Sequence, residues 1–223
     1  MEIEPVAHIR TDFKEKFGIP RQSGYVKGTI GRIVFVPRYR NPDALRGLET
    51  FSHIWLIFDF SECHIDEWYP LVRPPRLGGN VKMGVFATRS PFRPNSLGLS
   101  SVRLISIEHT DDGDELIVEG ADLLDGTPIY DIKPYNRNSD SHEDAVSGFA
   151  DKALDHRLSV DDPDELLASV PEDKRSVIID CLSLDPRPSY HDDERRYAMH
   201  FSDYDIAFTV EGNELKITEV KRI

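Results

Sequence analysis

The sequence predicts a mainly β protein: a strand-rich N-terminal unit, barrel or sandwich, followed by a smaller α+β unit. Three observations carry this. Residues 1–135 hold several short β-branched and apolar runs punctuated by Gly and Pro, without alternating βαβ spacing. A polar, turn-rich stretch opens at Asn136 and runs to residue 150, which places the linker there and the units at 1–138 and 139–223. Beyond it, two helix-like segments precede three further strand-like runs.

Element by element, Thr29–Val36 is β-branched and stopped by Pro37. The segment Pro42–Leu48 is a short helix candidate. Phe51–Phe60 is nearly continuous apolar, the pattern of a strand buried on both faces, with His53 as a core histidine. Lys82–Thr88 reads as a further short strand. Leu97–Ile107 and Glu115–Glu119 flank the acidic turn at residues 109–114, a hairpin signal. In the second unit, Asp162 caps a predicted helix with Pro163 in its first turn and Glu165 at the capping-box position. Asp173–Leu184 carries Ile178, Ile179 and Leu182 on one stripe, and Asp185-Pro186 ends it. Strands are predicted at Tyr197–Phe201, Tyr204–Val210 and Leu215–Val220, the last two joined through Glu211-Gly212-Asn213.

The 223 residues are 39% hydrophobic and 30% charged, enough apolar content for a real core. There is no apolar run long enough to span a membrane and no signal-like start, so a cytoplasmic protein is expected. Two cysteines, Cys63 and Cys181, supply neither a disulfide framework nor a metal site, so no metal is expected. The net charge of −13 argues against nucleic-acid binding over the whole surface. It is unevenly placed: residues 140–223 hold 21 acids against 10 bases, whereas Trp68–Ser106 holds six bases and no acid. That segment is a local anion-binding surface or a basic face paired with acids elsewhere.

Within it, Thr88–Asn95 places Arg89 and Arg93 on a loop stiffened by Pro91 and Pro94, a preorganised site for phosphate or carboxylate. Gly78 and Gly79 allow close approach to backbone. Asp122–Tyr135 is a second dense patch. Asp125-Gly126 reads as a turn, Asp122 and Thr127 present oxygens, and Asp131 and Lys133 alternate on a strand and so point the same way. Turn capping and a surface ion pair are the plain alternatives for these residues. No G-x-G-x-x-G follows a strand, no P-loop occurs, and His64, His191 and His200 have no evident partners. The residues alone yield an arginine-lined anion site without a reaction.

The same patches carry a resemblance. Gly84 to Asn95 reads G-V-F-A-T-R-S-P-F-R-P-N, and Lys16–Gln22, Arg46–Trp55, Arg73–Asn80, Asp122–Tyr135 and Leu184–Tyr190 follow in register. Together these are similar to the TrmO family of S-adenosylmethionine-dependent tRNA methyltransferases. The resemblance implies a β-barrel catalytic domain, homodimers, and methyl transfer to N6 of N6-threonylcarbamoyladenosine at position 37 of tRNA. It differs at one point: where family members often carry a histidine after the long apolar strand, this chain has Ser61, with His64 three residues on.

What the resemblance implies for roles follows the chemistry of the donor, a sulfonium with a zwitterionic tail, ribose hydroxyls and adenine. Pro20, Arg21, Gln22, Ser61, Glu62, Arg89, Leu99, Asp122, Asp125, Gly126 and Thr127 are expected around the cofactor. Arg73, Arg76, Arg93, Asn95 and Lys133 are expected to meet the threonyl carboxylate or tRNA. Asp125 or Asp131 is expected to take the N6 proton. A rival reading is a non-catalytic regulatory module that binds S-adenosylmethionine or tRNA on the same barrel.

Overall fold

Strand alternation builds the N-terminal unit. The computed structural model describes residues 2–74, 77, 80–153, 157–187 and 195–223. In chain order its strands are β1 (Ala7–Thr11), β2 (Ile30–Phe35), β3 (His53–Asp59), the two-residue β4 (Leu71–Val72) and β5 (Met83–Gly84), β6 (Leu97–Thr110), β7 (Gly113–Glu119) and β8 (Pro128–Pro134). Six of them close into a barrel in the order β1-β2-β7-β6-β3-β8, with β8 returning to β1 and every neighbouring pair antiparallel. Closure leaves that sheet no free edge. β4 and β5 pair only with each other in the connection between β3 and β6.

The barrel interior is filled by side chains such as Ile9, Ile33, Leu56, Phe58, Leu116 and Ile129. The expectation that β3 is buried on both faces is corrected: Ile54, Leu56 and Phe58 point inward, while Trp55 and Ile57 are only partly covered and His53 is exposed. A closed barrel has one interior, so outward apolar residues reach only the surface. His53 is accordingly no core histidine; its Nδ1 shares a 2.9 Å hydrogen bond with the Ser52 hydroxyl. Gly98 on β6 faces Phe58 across the pair, and a Cβ there would fall 2.2 Å from the ring. The glycine is what lets that ring fill the barrel.

The predicted strand at residues 82–88 shrinks to β5, followed by a 3₁₀ turn at Val85–Ala87. The helix candidate near Pro42 is a 3₁₀ turn at Pro42–Leu45, capped by the Asn41 side chain. The linker opens as a single helical turn, α1 (Arg137–Asp140), whose Asp140 accepts a 2.8 Å bond from the Trp55 indole.

The second unit is a four-stranded sheet covered by one helix. β9 (Ser159–Asp161) lies parallel to β12 (Glu214–Arg222), and β10 (Tyr197–Phe201), β11 (Tyr204–Glu211) and β12 form an antiparallel meander. The helix α2 (Glu172–Ser183) buries Val177, Ile178, Cys181 and Leu182 against that sheet. Ile179, predicted on the apolar stripe, is 39% exposed instead, because the buried face runs through Val177 and Cys181. The helix predicted from Asp162 is a 3₁₀ turn at Leu166–Ser169. The Asp162 carboxylate does accept the amides of Leu166 and Leu167, at 2.8 and 2.9 Å, but Glu165 sits at φ 52° and makes no capping box.

Residues 12–29, between β1 and β2, leave the barrel and join the second core. Phe13 and Val26 are buried among residues of α2 and the C-terminal sheet. Phe13 bridges to Phe201 through backbone and packs edge-on to its ring at 5.3 Å, and Phe17 stacks on Tyr197 at 6.2 Å. Lys174 on α2 holds Asp12 at 2.7 Å. The two units are thus joined by a hydrophobic loop as well as by the linker. No helix among the described residues is long and apolar enough to cross a membrane.

Candidate active site

The strand registers decide which loops meet. Thr11 pairs with Gly31, Ile30 with Glu119, Arg103 with Glu119, and Asp59 with Leu97, while β8 begins beside Phe58. The connections 12–29, 60–96 and 120–127 therefore emerge at one end of the barrel, the end facing the C-terminal unit. These are the loops that hold most of the predicted site residues.

At that mouth the Arg89 guanidinium donates to the side-chain oxygen of Gln22. Asp122 accepts a 2.7 Å bond from the Ser100 hydroxyl. Burial pushes the Asp122 carboxyl up from 3.8 to about 6, against the opposing pull of the Ser100 bond, nearby amides including that of Ser23, and the charge of Arg89. Arg21 reaches the other way and donates to the carbonyls of Asp185 and Arg187 at 3.2 and 3.3 Å. Pro20 is buried beneath this loop. Leu99, beside Ser100 on β6, is 54% exposed on the outer face of the barrel, level with Ile57 and Asp131. Gln22, Ser23, Arg89, Ser100 and Asp122 thus form one cluster from three loops and a strand.

Other predicted residues are engaged elsewhere. The Asp125 carboxylate accepts the Thr11 amide at 3.0 Å and pairs with Lys14 at 3.0 Å. The Gly126 amide donates to the Ile9 carbonyl, and the Thr127 hydroxyl to that of Leu124. These three residues bolt a turn onto β1. Arg93 donates to the carbonyls of Thr88 and Ser90 within its own loop. A register shift at Tyr130 turns Asp131 and Lys133 outward together, where they pair at 2.8 Å as their spacing predicted. Asp131 there lines a separate cleft of about 610 Å³ with Arg38, Tyr39, Arg46 and Leu48. Arg73, Asn95, Ser61 and Glu62 are exposed. Arg76, Gly78 and Gly79 lie outside the described residues.

Three side chains have partners that the sequence does not announce. Ser100 was read only as part of a strand, yet it supports Asp122. His64, expected to lack a partner, places Nε2 at 2.8 and 3.0 Å from the two oxygens of the buried Asp59. The signal was a histidine five residues after a carboxylate that ends an apolar strand. His200 likewise has a partner, the Ser202 carbonyl at 3.0 Å. Lys16 reinforces the same corner by donating to the Glu62 carbonyl at 2.8 Å.

The donor set fits the cofactor that the resemblance implies. A guanidinium suits a tail carboxylate, and a half-buried carboxylate with a hydroxyl beside it suits ammonium or ribose hydroxyls. Among the described residues no group of three or more His, Cys, Asp or Glu is placed to hold a metal.

Comparison with known proteins gives a consistent result. Residues 8–141 match the tRNA-methyltransferase O N-terminal domain, and residues 157–223 match the TrmO C-terminal domain. A tRNA (adenine(37)-N6)-methyltransferase of Escherichia coli is 40% identical over 218 residues, covering 94% of this chain and 93% of that protein. Another of that name from Eikenella corrodens is 51% identical over 176 residues, covering 78% of this chain and 99% of that protein. A crystal structure of TrmO from Pseudomonas aeruginosa superposes with a TM-score of 0.77 at 31% identity, covering 99% of this chain and 98% of that one.

Proposed function

This chain belongs to the TrmO family, and on that premise we propose that it methylates N6 of N6-threonylcarbamoyladenosine at position 37 of tRNA. It is an S-adenosylmethionine-dependent tRNA methyltransferase, and the barrel mouth is its active site. One structural observation carries the assignment: Arg89, Gln22 and the Asp122–Ser100 pair converge from separate loops on one point of that mouth.

S-adenosylmethionine, when bound, supplies an electrophilic methyl. The protein's part is to hold and align. Arg89 pairs with the tail carboxylate, and Gln22 holds that guanidinium from behind. Asp122 faces the ribose hydroxyls or the ammonium, with Ser100 fixing its rotamer. Alignment of two bound partners lowers the barrier without a covalent protein intermediate. The basic segment around Arg73, Lys82 and Arg93 steers tRNA phosphates to an otherwise acidic protein.

The enzyme works as a homodimer in this reading. Leu71, Phe86, Phe92, Leu97 and Leu99 are 38–73% exposed in the 60–96 connection and the start of β6, apolar side chains that a partner subunit would cover. Incubation of the purified protein with methyl-labelled S-adenosylmethionine and bulk tRNA tests the function. Label in tRNA at N6 of the modified adenosine supports it, and cofactor binding without transfer would favour the regulatory module.

A further inference from the structure

Methylation of N6 requires that the nitrogen lose a proton, and neither predicted base is well placed to take it. Asp125 is held by Thr11 and Lys14, and Asp131 faces the outside of the barrel. The mouth does contain a second acid–base pair. Asp59 is the last residue of β3 and only 8% exposed. The loop turns back at once, with the Cys63 amide bonded to the Phe60 carbonyl at 2.8 Å. This brings His64 over the strand end, where Nε2 meets both Asp59 oxygens. The His64 side chain itself is 62% exposed.

We propose that His64 is the proton acceptor of the reaction and that Asp59 is its positioning residue. This rests on the methyltransferase reading above. A carboxylate offers only acceptors, so Nε2 carries the ring proton toward Asp59 and Nδ1 keeps its lone pair, with no hydrogen-bond partner among the described residues. An imidazole oriented by a buried carboxylate is the arrangement general bases use. The surrounding groups leave it available. Lys16 is taken by the Glu62 carbonyl and lies within 3.8 Å of the Glu62 carboxylate and the Cys63 thiol, and Tyr130 faces Asp59 from β8.

The step balances simply. The N6–H bond breaks and its proton passes to Nδ1 of His64. The N6 electron pair forms the bond to methyl carbon, and the sulfur keeps the pair of the broken S–C bond. His64 returns the proton to water after the product leaves.

Two variants and one rescue test this. His64→Gln keeps an amide donor for Asp59 but has no basic nitrogen. It should lower kcat at least roughly thirtyfold while cofactor Kd by calorimetry and the KM for tRNA stay within about twofold of wild type and Tm within about two degrees. His64→Ala should be similarly slow, and added imidazole should restore at least a fifth of the wild-type rate. A kcat for His64→Gln equal to wild type, or a slow His64→Ala that imidazole leaves unchanged, overturns the proposal. A wild-type protein that binds cofactor yet transfers no methyl would instead overturn the functional reading on which it stands.

Discussion

Arg89 donates to the side-chain oxygen of Gln22, a residue 67 positions earlier in the chain. Two loops with no sequence proximity are therefore set against each other by one guanidinium. Both residues are accessible, so the bond positions more than it stabilises. Arg89→Ala should accordingly lower methyl transfer at least roughly tenfold while Tm changes by no more than a degree or two. A steady-state assay beside a thermal melt checks it. Parallel loss of activity and folding would make Arg89 a structural clamp.

Asp122 makes stability depend on pH. Its folded carboxyl titrates at about 6 against 3.8 for an ordinary aspartate, because burial disfavours the charge. Between those values the folded chain binds a proton that the unfolded chain lacks. Stability therefore falls as pH rises through that window, and the penalty is complete above it. Asp122→Asn removes the penalty, so its Tm should exceed that of wild type at pH 7.5 and converge with it near pH 4. The gain is capped at about 3 kcal/mol. Melts of both proteins across pH 4–8 decide it, and a constant offset would refute the burial argument.

Gly98 and Phe58 give a packing prediction. A Cβ at residue 98 meets the Phe58 ring at 2.2 Å, and the ring is enclosed by the barrel. Gly98→Ala should cost about 1–3 kcal/mol, the usual range for overpacking a core. Phe58→Leu in the same chain should recover more than half of that. Denaturant titration of the double-mutant cycle reads the coupling directly.

Salt separates the two ligands. Arg73, Lys82 and Arg93 lie on one acid-free segment, and the proposed pairing of such cations with phosphates displaces counterions. The affinity for tRNA should fall with a log–log salt slope steeper than about −3 between 50 and 200 mM. The cofactor, held partly by buried and apolar contacts, should lose less than about threefold over the same range. Filter binding and calorimetry in one buffer series compare them, and equal slopes would argue against separate sites.

Substrate choice rests on the same arginines. They outnumber what one cofactor tail requires, and in the proposed function one or two of them meet the threonyl carboxylate. A site built around a carboxylate leaves its cations unpaired when that group is missing. Transcript tRNA with plain adenosine at position 37 should be methylated at least roughly a hundredfold more slowly than the threonylcarbamoylated form, about 2.7 kcal/mol in barrier. Single-turnover rates on one tRNA prepared both ways test it, and equal rates would sink the carboxylate assignment.

Much of the architecture was legible in the chain because it is local. The acidic turn before Asp114 marked the β6–β7 hairpin, and the spacing of Ile178 and Leu182 marked α2. Periodicity reports that a face is buried, but not what buries it. It could not show that β8 returns to β1 to close the barrel, nor that Phe13 and Val26 fill a core built by residues 158–217. The continuous apolar run of β3 misled for the same reason, since Trp55 and Ile57 are outward residues of a barrel strand. In the site, Arg89 and Gln22 were visible as loop residues of suggestive type, whereas their bond was not. The Asp59–His64 pair stayed hidden because it depends on a tight reversal at Phe60–Cys63 that no Gly or Pro announces.

The burial of Phe13 against Phe201 sets an order of events during synthesis. The ribosome releases the aromatic loop long before the strands β10–β12 that cover it. At about 5–20 residues per second the delay is on the order of 10 to 40 s. Through that interval the barrel can close while Phe13, Phe17 and Val26 stay in water. A nascent chain stalled near residue 150 therefore displays a greasy handle at one end of the barrel, and arrival of α2 and β10–β12 withdraws it. α2 and β10–β12 act as the cover of a loop that was made long before them.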